Sequence, residues 1–138
     1  MDVGQAFVHA ELDEDVWTQV PVQLDGLCVK LNGKEEKLQA GQWWQVKKAL
    51  YGLRRAPKLW QDHLTEILTT MGYKRLKVEP AIFVSEDGQI ILLIHVDDLL
   101  AGGPRKRLKK LFTDLGKKVV LKLVGEVVEV GDAVVYLS

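Results

Sequence analysis

Apolar and polar positions alternate loosely over residues 16–22 and again over 27–31, with Asp25-Gly26 between them, which predicts two strands joined as a hairpin. Residues 32–41 are polar and read as a second turn or loop. Trp43, Trp44 and Val46 lead into Ala49-Leu50-Tyr51-Gly52, where the glycine interrupts the pattern and points to close backbone approach or an unusual dihedral. From Pro57 the period changes. Trp60, Leu64, Ile67, Leu68 and Met71 fall on one face of a helix that Pro57 opens and Gly72 stops. Residues 81–84 and 90–96 read as strands on either side of a Glu86-Asp87-Gly88 turn, the second apolar enough to be central. Residues 99–101 form a returning strand that Gly102-Gly103 ends. Pro104 then opens a second helix with a face of Leu108, Leu111, Phe112 and Leu115, closed by Gly116. Three short β-rich runs follow, at 119–124, 127–130 and 133–137. Antiparallel strands mixed with two helices predict an α+β fold.

The chain has 138 residues, 47% of them hydrophobic, enough for one domain with a real core. Lysine plus arginine number 19, as do aspartate plus glutamate, so net charge gives no argument for a nucleic-acid partner and local clustering must. Residues 43–61 carry Lys47, Lys48, Arg54, Arg55 and Lys58 and no acid, whereas 11–15 are nearly all acidic. The basic run at 105–110 reads as a solvated helix face. A single cysteine, Cys28, excludes an internal disulfide and suits a reducing compartment. No apolar run approaches the ~20 residues needed to cross a bilayer, and the N-terminus lacks a signal pattern, so an intracellular protein, cytoplasmic or nuclear and not secreted, is expected.

The most informative feature for chemistry is Asp97-Asp98 at the end of the apolar strand. Successive strand side chains point to opposite faces, so such a pair serves one site only where the strand ends and turns. A hydrated hairpin tip accounts for the pair equally well, because aspartate is a common turn residue. Other blocks change the balance. Asp2-Val3-Gly4-Gln5-Ala6-Phe7 sets a third carboxylate before a glycine-containing turn, and Leu12-Asp13-Glu14-Asp15 follows. Lys48-Ala49-Leu50-Tyr51-Gly52-Leu53-Arg54-Arg55-Ala56-Pro57 precedes the helix that carries Trp60, and Glu79-Pro80 and Ile94-His95-Val96-Asp97-Asp98 come after it. In this order the blocks resemble the reverse transcriptase domain of copia-type retrotransposon Pol polyproteins, across almost the whole chain.

The resemblance implies a polymerase palm, an antiparallel sheet packed against helices, truncated at both ends: residues 1–138 would be a palm with part of the fingers, without N-terminal fingers, thumb and RNase H. It places three metal-binding aspartates on Asp2, Asp97 and Asp98. Phe7 would then match the aromatic that closes the sugar pocket, and Tyr51-Gly52 the loop beneath the incoming nucleotide. Three clustered carboxylates repel one another unless cations neutralise them, which calls for two Mg²⁺ ions or Mn²⁺ in their place. Gln5 and Ala6 would offer backbone N–H groups to the triphosphate. Arg54, Arg55 and Lys58 would hold template or primer phosphates, or form a solvated basic face; Phe7 has the alternative of being a core aromatic. His95 stands where the family carries tyrosine, against the primer end. The lone residue before Asp2 predicts a frayed terminus. The expected partners are an RNA or DNA template with a DNA primer, deoxynucleoside triphosphates and the rest of the Pol polyprotein, and no membrane. The function implied is RNA-directed DNA polymerisation within a longer Pol chain; the alternative is a catalytically inactive descendant that retains nucleic-acid binding.

Overall fold

Helix α1 spans Ala56–Thr70 with Pro57 in its first turn, where a missing N–H costs nothing, and it buries Trp60, Leu64, Ile67 and Leu68 along the face the spacing predicts. The computed structural model describes residues 1–31 and 33–127. In chain order its strands are β1 (Asp2–Val3), β2 (Glu11–Gln19), β3 (Cys28–Leu31), β4 (Lys34–Lys37), β5 (Trp43–Lys48), β6 (Tyr73–Arg75), β7 (Ile82–Ser85), β8 (Ile91–His95), β9 (Asp98–Gly102) and β10 (Leu121–Lys122). A second helix, α2, spans Arg105–Leu115, and 3-10 turns occupy Ala6–His9 and Val22–Leu24. The fold is α+β, and it divides into two compact units.

One unit joins Met1–Ala10 to the chain from Ala49 onward. Its centre is a six-stranded sheet in the order β10-β1-β9-β8-β7-β6, with antiparallel pairing throughout. Leu92 of β8 and Leu99 of β9 are fully buried in the same apolar cluster as Trp60, Leu64 and Leu68 of α1 and Leu111 and Leu115 of α2. Each such side chain contributes about 1.5–3 kcal/mol by leaving water. Alternate residues face away from the helices: Ile91 is 53% and Leu100 43% exposed. The apolar run over 90–96 therefore lies in the interior of the sheet plane, as expected, with only one of its faces covered.

Of the basic run at 105–110, expected as a solvated face, Arg107 departs from that role. It pairs with Asp87 and donates to Gln89 Oε1 at 2.8 Å, tying α2 to the β7–β8 turn. Of the run at 119–124 only Leu121–Lys122 is strand. The runs at 127–130 and 133–137 lie, Val127 apart, outside the described residues.

The other unit, Glu11–Lys48, corrects the sequence reading. The expected hairpin between 16–22 and 27–31 does not form. β2 pairs instead with β5, bringing Val16 opposite Val46 and Gln19 opposite Trp43, and β3 pairs with β4. Pro21 has no N–H to continue the β2 ladder, and a 3-10 turn follows it. Gly26 (φ 76°) then donates its N–H to the Leu38 carbonyl rather than closing a turn back onto β2. Residues 34–37, expected as loop, are strand because Leu31 pairs with Lys34 and Lys30 faces Glu35 across the ladder. The Asn32-Gly33 dipeptide is the strong two-residue hairpin signal in this stretch.

Candidate functional site

The β8–β9 hairpin turns in two residues. His95 is paired with Asp98, and Val96-Asp97 forms the connection. Val96 has φ 51°, a left-handed value that a β-branched side chain resists, at the first central position of the turn, where glycine is favoured. Two bonds from elsewhere hold this backbone. The Trp60 indole N–H donates to the Val96 carbonyl at 2.7 Å, and the Val3 N–H donates to the Asp97 carbonyl at 2.8 Å.

Asp2 is brought to this tip by β1, which lies between β9 and β10. Contrary to the expected frayed terminus, the strand is bonded on both sides. The Leu99 N–H donates to the Met1 carbonyl at 2.8 Å, and the Gly4 N–H to the Val120 carbonyl at 2.9 Å. Asp2 is directly opposite Asp98 on one side and Lys122 on the other. Opposed residues of an antiparallel pair share a face, so His95, Asp98, Asp2 and Lys122 form a row across β8, β9, β1 and β10. Asp97 stands beside the row, in the turn. All three aspartates are half-buried and line a groove of about 970 Å³, with Arg105, Lys109 and Lys122 among its other walls.

Lys122 was not singled out by the sequence reading. Its signal was slight, a lone charge within the apolar run 119–124. The role of Val96 carried no signal at all, because its dihedral depends on the hairpin register.

Phe7 and Tyr51, distant in sequence, meet with ring centroids 4.4 Å apart and planes tilted by 50°. Phe7 is buried and Tyr51 is 64% exposed, so the tyrosine presents the outer surface of the pair. Gln5 adopts a left-handed conformation (φ 54°) at the entry to the Ala6–His9 turn, and Ala6 is fully buried. Gly52 has φ 91° with open space where a side chain would project, so of its two expected explanations the dihedral holds and close approach does not. Arg54, Arg55 and Lys58 are exposed around the start of α1, and Lys58 forms an ion pair with Asp62 at 2.8 Å.

As a donor set, three carboxylates suit a hard divalent cation, and two of them already oppose each other across β1 and β9. Among the described residues, no three acidic, histidine or cysteine side chains are gathered closely enough to form a ready-made ion site. The carboxylates therefore fit a metal by chemistry and by strand placement, and side-chain rotation would have to close the cluster.

Residues 1–133 match the family described as reverse transcriptase (RNA-dependent DNA polymerase). The chain is 30% identical over 129 residues to a putative transposon Ty5-1 protein of Saccharomyces cerevisiae, covering 85% of this chain and 39% of that protein. It is 33% identical over 129 residues to the retrovirus-related Pol polyprotein from transposon TNT 1-94 of Nicotiana tabacum, covering 91% and 9% respectively. Over 105 residues it is 31% identical to the corresponding polyprotein from transposon RE1 of Arabidopsis thaliana, covering 75% and 6%. The chain thus spans 39% or less of the length of these relatives. No solved structure matches it.

Proposed function

The chain belongs to the reverse transcriptase family of copia-type retrotransposon Pol polyproteins, and from that premise we propose that it is the palm, with part of the fingers, of an RNA-directed DNA polymerase acting within a longer Pol chain. The observation that carries this reading is the cross-strand opposition of Asp2 and Asp98, with Asp97 adjacent in the turn. Carboxylates so far apart in sequence meet on one face only through the sheet.

Asp2, Asp97 and Asp98 would hold two Mg²⁺ ions, or Mn²⁺. Bound there, such ions would supply activation of the primer 3′-hydroxyl and stabilisation of the leaving pyrophosphate. The chain's own residues position the reactants. Gln5, exposed at the entry to the turn, would direct its backbone N–H at the triphosphate, with Ala6 buried behind it. Tyr51 and Gly52 would lie beneath the nucleotide, with Phe7 behind Tyr51 on the sugar side. His95, beside Asp98 in the row, would lie against the primer end. Arg54 and Arg55, and Lys58 once released from Asp62, would contact template or primer phosphates, which is supported by their exposure at the start of α1.

A second reading, a non-catalytic descendant that binds nucleic acid through residues 47–58, draws support from the unclosed carboxylate cluster. A primer-extension assay on the chain within its longer Pol context, with an RNA template and Mg²⁺, separates the two. Extension abolished by Asp97→Asn is the expected result, and extension indifferent to that change would overturn the assignment. Binding without turnover, lowered by salt and by Arg54→Ala and Arg55→Ala, would favour the second reading.

A further inference from the structure

The Trp60 indole N–H donates to the carbonyl of Val96 at 2.7 Å, and Val96 is the strained link in the turn that carries both Asp97 and Asp98. Trp60 is 1% exposed, so its N–H has no access to bulk water and its bond to Val96 satisfies a buried donor. Two imidazoles lie near the ring, with the His9 centroid 5.9 Å away and that of His63 6.1 Å away. His9 Nε2 lies 3.2 Å from the Gly4 carbonyl, which ties that ring to the turn following Asp2. A buried donor on α1 thus reaches the turn at Val96, while the Val3 N–H of β1 holds the neighbouring Asp97 carbonyl. A valine at φ 51° relaxes toward ordinary strand dihedrals unless its surroundings over-determine it, and such relaxation would swing Asp97 and Asp98 away from the groove they line with Asp2.

We propose that Trp60 is a positioning residue for the carboxylate site: its indole N–H holds the Val96-Asp97 turn in its left-handed conformation and thereby sets where Asp97 and Asp98 stand relative to Asp2. The metal-binding arm of this inference rests on the polymerase reading of the three aspartates; the conformational arm does not.

The test uses the intact 138-residue chain as wild type, Trp60→Phe, Val96→Gly and the double variant. Trp60→Phe removes the N–H and keeps an aromatic ring in the core. Val96→Gly makes the positive φ free of steric cost, so the tether is no longer needed. In metal-free protein, Trp60→Phe is expected to speed hydrogen exchange of the turn segment about fivefold to tenfold, the size of one net hydrogen bond, with exchange within α1 unchanged. Mn²⁺ affinity, read by electron paramagnetic resonance, is expected to fall by a similar factor. In the Val96→Gly background the same Trp60→Phe change is expected to have no effect on either measurement. Unchanged exchange in Trp60→Phe would overturn the proposal. So would a loss that follows a general fall in stability and is not rescued by Val96→Gly. If Trp60→Phe fails to fold, the wild-type indole proton decides: slow exchange upholds the tether and fast exchange refutes it. A wild-type chain that binds no Mn²⁺ would count against the three aspartates as a metal site in this chain by itself, while the exchange measurements still judge the tether.

Discussion

Asp87, at the β7–β8 turn, accepts hydrogen bonds from the Ser85 hydroxyl at 2.7 Å and from Arg107 of α2. These bonds, that from Ser85 foremost, lower its carboxyl from 3.8 to about 2. A carboxylate depressed on folding adds stability above its unfolded pKa and loses that increment as pH falls through the folded value. The wild-type melting temperature should therefore drop more steeply between pH 3.8 and about 2 than that of Asp87→Asn, and parallel curves would refute the linkage. Gly52 presents a purely backbone case. With φ 91° and nothing near its missing side chain, Gly52→Ala should cost about 1 kcal/mol in urea denaturation through strain alone. At this scale the sequence announced the unusual glycine and the Asp97-Asp98 pair. It was silent on Val96, whose dihedral belongs to the hairpin.

The elements that emerged most clearly from the sequence are those whose pattern is local. α1 and α2 follow the 3.6-residue period and its proline and glycine punctuation, and β7 to β9 follow an apolar run cut by turn residues. Leu68, fully buried on α1, should cost about 2–5 kcal/mol when changed to alanine, measured by chemical denaturation, and a loss below 1 kcal/mol would contradict its place in the core. Gly103 joins β9 to α2 against the backbone of the neighbouring turn, where an added Cβ would lie 2.6 Å from the Gln89 carbonyl oxygen. Gly103→Ala should therefore destabilise by more than about 1 kcal/mol, because backbone cannot move aside as a side-chain tip can. β6 escaped the sequence reading because three residues carry too little periodicity, and β4 because Lys-Glu-Glu-Lys has no apolar face.

At the scale of the whole molecule, stability is unevenly supplied. Among the described residues of Glu11–Lys48, Val20 and Leu38 are the buried side chains, whereas the unit holding the aspartates has an extensive apolar cluster. Amide exchange on the intact chain should therefore be faster over β2 to β5 than over α1, β8 and β9, and equal protection would contradict this division. No helix among the described residues is long and apolar enough to cross a membrane. The sequence by itself determined the helices, the apolar strands and the carboxylates at a hairpin tip, because each is written in spacings of a few residues. Only the tertiary structure decided that β2 pairs with β5, that Asp2 faces Asp98, and that Trp60 reaches the Val96 carbonyl. Those relations join residues remote along the chain, and they depend on strand register, which a one-residue slip would reverse.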